Sequence, residues 1–287
     1  MKYLLTGLLT FFTAVAAPAQ DSTKVYYLPE DVQIFEAYCQ AFADKSDLPM
    51  NELVAETGRY FLGTPYVNYT LEVRDPEEVI VNLRELDCVT FVETTIALAR
   101  CIKAGLPDFA FYCENLRLLR FRGGILHDFT SRLHYFSDWI VDNQQMGLVR
   151  DLTASYGGQP YPIRVNIMST KPNNYRQLKA HPEMIPVLKE IEENQISGRV
   201  MAYIPQREVD RIGSTLPNGL IVGTTTTTAM DIAHCGFLVI EAGKPHFMHA
   251  SSTDKKVVIT EITLGEYLAS KRSMNGIMVA EALEPEV

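Results

Sequence analysis

Cys88, His234 and His249 are the residues whose types and spacing suit chemistry, and that chemistry is nucleophilic attack by a thiol. Cys88 opens the run CVTFVETTIALAR, in which Val89, Val92, Ile96 and Ala99 recur at helical spacing. Asp87 is a natural N-cap for that helix, and Gly105 followed by Pro107 is a natural stop. A thiol in the first helical turn lies beside unpaired N–H groups at the positive end of the macrodipole. Both lower its pKa toward the reactive thiolate. The competing role for Cys88 is that of a small buried apolar residue. Asp87 favours the helix as its cap and opposes the thiolate by its charge, which leaves the sign of its net effect open.

A cysteine nucleophile needs a base in hydrogen-bond reach and a third group to orient that base. His234 lies mid-strand in DIAHCGFLVIE, and His249 lies near the end of the next strand in PHFMHASS. A turn at EAGKP makes the two strands a hairpin, which brings His249 beside His234 as its orienting partner. Strict alternation along the strand sends Cys235 to the opposite face from His234, into the core. His127 and His134 are spaced to share a helix face, but nothing supplies the other ligands of a metal site. His246 and His249 point to opposite faces of one strand. No metal and no cofactor is therefore expected. The absence of a GxSxG elbow gives no support to a serine hydrolase of that kind.

The elements that must position these groups divide the chain near residue 195. Before it, helical periodicity covers roughly 30–44, 50–62, 88–104, 107–121, 126–146 and 184–194. After it, VMAYIP, the long run 219–242, HFMHAS and VVITEI read as strands, followed by a short helix at 264–271 and a last strand, GIMVAEAL. Helices followed by a meandering antiparallel sheet are the α+β class. The threonine run at 224–228 suits a strand surface.

Residues 1–19 read as a secretory signal. Lys2 supplies the charge, Tyr3 to Ala16 the apolar stretch, and Ala17-Pro18-Ala19 the cleavage pattern. Residues 20–287 then form a single exported domain, with a helical half at about 28–195 and a β half at about 196–287. No later run is long enough for a membrane span. A net charge of −9 argues against general nucleic-acid binding. Five cysteines with no CxxC suggest neither a zinc site nor a disulfide scaffold. Cys39, Cys101 and Cys113 lie in apolar helical patterns, with one bridge among them left open.

The segment GTPYV with Tyr66, DC at a helix start, HCGF on a strand and then MHAS together resemble the NlpC-type branch of the papain-like cysteine hydrolases. Within that branch, LDCVTFVE, the RFRGG…SRLHYFSDW block and KPNNY resemble the N-acetylmuramoyl-L-alanine amidase-like family. The resemblance implies a papain-like fold, with an N-terminal helical part followed by an antiparallel sheet or half-barrel. It also implies Cys88 as nucleophile, His234 as base, His249 as its orienting partner and Tyr66 as an oxyanion donor. The implied reaction cuts the amide between N-acetylmuramic acid, in its 1,6-anhydro form in muropeptides, and L-alanine. The chain departs from the commoner NlpC pattern in carrying Val89 and Thr90 after the cysteine, and in a longer spacing from cysteine to histidine.

Muropeptides carry carboxylates, which arginine forks bind. Arg120 and Arg132, with Trp139 as a sugar platform and Thr90 and Glu93 near the cysteine, are the candidate substrate contacts. The expected protein is a periplasmic monomer whose partners are peptidoglycan fragments. Three other readings stay open: a γ-D-glutamyl stem-peptide endopeptidase, a transglutaminase-like acyl transferase and a non-catalytic cell-wall-binding protein.

Overall fold

The computed structural model describes residues 24–213, 215–227 and 231–286. The signal-like segment 1–19 lies outside them. In chain order the elements are β1 (Val25–Tyr26), α1 (Pro29–Ala41), α2 (Met50–Tyr60), β2 (Val79–Ile80), α3 (Cys88–Lys103), α4 (Phe109–Arg120), α5 (Phe136–Gln145), β3 (Val149–Asp151) and β4 (Gln159–Pro162). They continue with α6 (Ile167–Thr170), α7 (Arg176–Ala180), α8 (Met184–Glu190), β5 (Val200–Pro205), α9 (Gln206–Gly213), β6 (Ile221–Thr226), β7 (Ile232–Glu241), β8 (Lys244–Ser251), β9 (Lys256–Ile259), α10 (Leu264–Ala269) and β10 (Met274–Ala282).

An eight-stranded sheet orders its strands β4-β5-β10-β6-β7-β8-β9, with β3 also pairing β10. Every pairing in it is antiparallel. This is an α+β arrangement. Strands β3 and β4 come from the portion that reads as helical in the sequence, so both portions of the chain share one sheet.

Alternation along the strands feeds two cores. Cys235, Phe237 and Val239 of β7, with Met248 of β8 and Met278 of β10, face the large core against α1 to α5. Leu238, Phe247, Ile277 and Val279 face a smaller core closed by Val209 of α9 and Leu264 and Leu268 of α10. Because both faces are covered, Thr224, Thr225 and Thr226 are buried rather than on a strand surface. The long run 219–242 is two strands, β6 and β7, not one.

α3 is the central helix. From Thr90 to Ile102 every residue is buried, which is the signature of a core helix rather than a surface one. The helix expected over 126–146 begins only at Phe136. Upstream, the Asp128 side chain accepts from Thr130 N at 2.7 Å and holds a short 3-10 turn over Phe129–Ser131. The hairpin joining β7 to β8 turns at Ala242 and Gly243, both at positive φ (49° and 78°), as a two-residue type I′ loop requires.

Candidate active site

The site is built at the N-terminus of α3, where it meets the ends of β7 and β8. The chain reaches it through Leu86, which is fully buried. Leu86 N donates to Pro65 O at 3.0 Å, and Val67 N donates back to Leu86 O at 3.2 Å. On its other side, Tyr66 N donates to Lys255 O at 2.9 Å. The stretch around Tyr66 is thus an added strand, sewn between the edge of β9 and the entry to α3. That stitching holds Tyr66 close to the first turn of the helix.

Asp87 caps the helix. Its Oδ1 accepts from Thr90 N at 2.8 Å and from Thr90 Oγ1 at 2.9 Å, while Asp87 N donates to Thr90 Oγ1 at 2.9 Å. Burial, and then the charge of Cys88, push the Asp87 carboxyl up to about 6. Cys88 follows as the first helical residue and is partly exposed. Its thiol is held well below the ordinary range, first by a hydrogen bond from Cys235 and then, against the cost of burial, by the His234 ring. The pull of the stabilising groups exceeds the desolvation of the thiolate.

His234 Nε2 lies 2.6 Å from His249 Nδ1. With Nε2 taken, Nδ1 is the His234 nitrogen left to serve the Cys88 sulfur. His249 is buried (3% exposed) between Phe247, stacked at 4.6 Å, and Tyr267 at 5.3 Å. Burial, then the charges of His234 and Lys271, pull the His249 ring down to about 3, so it is neutral. A neutral His249 accepts at Nδ1 from a protonated His234 and carries its own proton on Nε2. The pair can come this close because residue 236 is glycine. A Cβ there would lie 2.4 Å from Met248 O and 2.9 Å from His249 Cβ.

The Tyr66 hydroxyl donates to Asn68 Oδ1 at 2.6 Å. Burial, then the charges of Cys88 and Asp87, push it up to about 12. It therefore stays protonated and available as a donor. Among the described residues there is no cluster of His, Cys, Asp or Glu arranged to hold a metal. The arrangement can form a thiolate–imidazolium pair, deliver a proton from His234 and offer donors to an oxyanion.

The structure thus gathers Cys88, His234, His249 and Tyr66 at one place. It does not bring the expected substrate contacts there as free groups. Arg120 and Glu93 form an ion pair at 2.7 Å inside the core, and Arg120 also donates to Ile80 O at 2.6 Å. Arg132 is spent on Glu77 and on Leu71 O. Trp139 is fully buried and stacked on Phe136 at 4.8 Å. Thr90 is buried and closes the helix cap. These five side chains are engaged in ion pairs, packing or the cap, which departs from the expectation of free groups at the site.

Three residues join the site that the sequence did not bring forward. Phe247 and Tyr267 enclose His249, and Cys235 packs in the same core as Cys88. Cys235 faces the large core with Phe237 and Val239, as alternation from His234 expects. A bulge leaves Ala233 unpaired just before them, since Thr224 pairs with His234 and Thr225 with Ile232. Cys39, Cys101 and Cys113 are all free thiols in the structure.

A family model described as N-acetylmuramoyl-L-alanine amidase-like matches residues 56–277. The chain belongs to that amidase-like family. Solved structures similar to it include an N-acetylmuramoyl-L-alanine amidase from Bacteroides uniformis ATCC 8492, with TM-score 0.77 and 33% identity over 82% of this chain and 99% of the other. A putative xylanase from Bacteroides fragilis is similar at TM-score 0.74 and 37% identity, over 79% of this chain and 99% of the other. A Legionella pneumophila protein shares the fold at TM-score 0.70 and 21% identity, over 89% and 97% of the two chains. No curated protein sequence matches significantly. Membership of the amidase-like family makes the chain a hydrolase of peptidoglycan amides at the level the family name carries, and leaves bond and mechanism to the site itself.

Proposed function

We propose that this protein hydrolyses the amide between N-acetylmuramic acid and L-alanine in peptidoglycan fragments through a thioester on Cys88. Its preferred sugar on this reading is the 1,6-anhydro form. The observation that carries the reading is the line Cys88–His234–His249 at the N-terminus of a buried helix, with the histidines 2.6 Å apart. The Cys88 thiolate attacks the lactyl carbonyl carbon. The Cys88 N–H and the Tyr66 hydroxyl, released from Asn68, receive the oxyanion. His234 gives its Nδ1 proton to the departing L-alanine nitrogen as the C–N bond breaks. It then takes a proton from water, which attacks the thioester and frees Cys88. His249 fixes the tautomer of His234 throughout. Losing one oxyanion donor typically costs ~3 kcal/mol of transition-state stabilisation.

The order of cysteine on a helix start and histidine on a following strand supports the NlpC-type papain-like reading of the fold. On the export-like signal we propose that residues 20–287 act as one monomeric domain in the periplasm after removal of residues 1–19. A xylanase reading has less support. Glycoside cleavage uses two carboxyl groups flanking the bond. Asp87, beside Cys88, is engaged in the helix cap, and Glu93 is locked to Arg120.

Incubation of defined muropeptides followed by mass spectrometry tests the proposal. Release of an intact peptide beginning with L-alanine is expected. Cys88→Ala should lower the rate by about 10⁴-fold or more. Recovery of muramoyl dipeptide instead would reveal a stem-peptide endopeptidase, and unchanged turnover by Cys88→Ala would remove the nucleophile from the account.

A further inference from the structure

Asn68 is an exposed side chain to which the proposed reaction gives no task beyond releasing Tyr66, yet it is the hydrogen-bond partner of that hydroxyl. The Tyr66 O–H donates to Asn68 Oδ1 at 2.6 Å. The backbone fixes this meeting. Tyr66 bridges to Leu86 in parallel sense, and on the other side Tyr66 N donates to Lys255 O at 2.9 Å. Val67 N closes the pairing on Leu86 O at 3.2 Å, and the chain turns at once. Tyr69 takes φ 62°, and Glu72 N donates back to Tyr69 O at 3.1 Å. Asn68 opens this turn with its carboxamide against the Tyr66 hydroxyl.

We propose that Asn68 is a positioning residue for Tyr66: its carboxamide holds the Tyr66 hydroxyl in the resting enzyme and, turned over, donates to it while Tyr66 serves the oxyanion. This rests on the reading of Tyr66 as an oxyanion donor. A phenol has one proton to give. In the resting geometry Asn68 Oδ1 receives it, so it must leave Asn68 before it can meet an oxyanion. The phenol oxygen would then face a carbonyl oxygen, and two acceptors repel. A carboxamide resolves the conflict because it carries an acceptor and two N–H donors on one planar group. Turning it over brings Nδ2 to the phenol oxygen. The last torsion of asparagine is broad and roughly two-fold. Asn68 is exposed, and its Nδ2 has no protein partner among the described residues, so the turn breaks no other contact. Donors then run in line from Asn68 Nδ2 to Tyr66 to the oxyanion, and hydrogen bonds in such a chain polarise one another. No bond forms or breaks at Asn68, and it keeps its protons throughout.

Other side chains do not combine these two tasks. An aspartate of the same shape only accepts, and its charge would keep the Tyr66 proton. An alanine leaves the phenol to water. The backbone of Tyr66 stays in place in either variant, because Lys255 and Leu86 hold it rather than the Asn68 side chain.

The test is steady-state kinetics on defined muropeptides, at the amide that mass spectrometry shows the wild type to cut. The variants are Asn68→Ala, Asn68→Asp, Tyr66→Phe and the double variant Asn68→Ala/Tyr66→Phe. Thermal melting and the rate of Cys88 alkylation by iodoacetamide check that each is folded with its thiolate in place. Asn68→Ala should lower kcat about three- to tenfold with KM within about twofold, and Asn68→Asp should lower kcat at least as much. Tyr66→Phe should lower kcat about 10²-fold. Adding Asn68→Ala to Tyr66→Phe should lower it by less than about twofold further, since the group that Asn68 acts through is gone. A purely structural role for Asn68 would lower kcat equally in both backgrounds. That result, or a wild-type kcat in Asn68→Ala or Asn68→Asp, overturns the role of Asn68. A wild-type kcat in Tyr66→Phe overturns instead the reading of Tyr66 as an oxyanion donor.

Discussion

At the scale of single residues, the site sets charge against charge within one helical turn. Asp87 and Cys88 are neighbours that each resist the other's ionisation, yet the thiol is the one driven down. The reason is the balance of stabilising groups against burial, which tips opposite ways at the two residues. Asp87 receives two hydrogen bonds from Thr90 and is nevertheless raised by burial, whereas Cys88 faces Cys235 and His234. One strained residue nearby is Tyr69, at φ 62° and 66% exposed, three positions after Tyr66. A bulky residue in the left-handed region costs on the order of 1 kcal/mol or more. Glycine adopts that conformation freely. Tyr69→Gly should therefore stabilise the protein, by about 1 kcal/mol in urea unfolding. A lower midpoint with an unchanged m value would mean that the exposed ring holds the loop by packing.

At the scale of elements, catalytic geometry depends on how closely β8 can run beside β7. Gly236 is the point of closest approach, where a Cβ meets Met248 O at 2.4 Å. Gly236→Ala should push β8 away, lengthen the 2.6 Å contact between His234 and His249, and lower kcat at least about tenfold, with a smaller effect on KM. A full kcat in a folded Gly236→Ala protein would show that the histidine pair tolerates the displacement. This scale also explains what the sequence could reveal. α3 was legible because its cap, its apolar spacing and its Gly-Pro stop are all local. The β7–β8 hairpin was legible from its turn and its alternating strands. The core placement of Cys235 was legible from the same alternation, but its sharing a core with Cys88 was not, because that depends on how α3 packs on the sheet. Arg120 and Arg132 read as free cations because their partners Glu93 and Glu77 lie 27 and 55 positions away. An ion pair of that range is invisible until the fold closes it. Trp139 misled for a similar reason, since an aromatic that stacks on sugar and one that fills a core look alike in a sequence.

At the scale of the whole molecule, buried titratable groups tilt stability against pH in opposite directions. His249 and His134 are pulled down to about 3, in each case mainly by burial. An unfolded histidine titrates near ~6.5. Between those values the unfolded chain binds protons that the native chain refuses, so both histidines withdraw stability as pH falls from about 6.5 toward 3. Asp87 and Asp231 are pushed up to about 6, again mainly by burial. An unfolded aspartate titrates near ~3.9. In that window the native chain binds protons that the unfolded chain releases, so both aspartates add stability as pH falls from about 6 to 4. The two pairs offset one another and flatten the acid side of the stability curve. Asp87→Asn removes one aspartate contribution while keeping an oxygen to accept from Thr90 N. Its Tm should exceed that of wild type at pH 7, where the wild-type carboxylate is charged and half-buried. The gap should close by pH 4, where wild-type Asp87 is neutral, so the variant loses stability more steeply over that interval. Parallel Tm curves for the two proteins from pH 7 to 4 would mean that Asp87 titrates alike in the folded and unfolded chains, and that the cap carries no electrostatic cost.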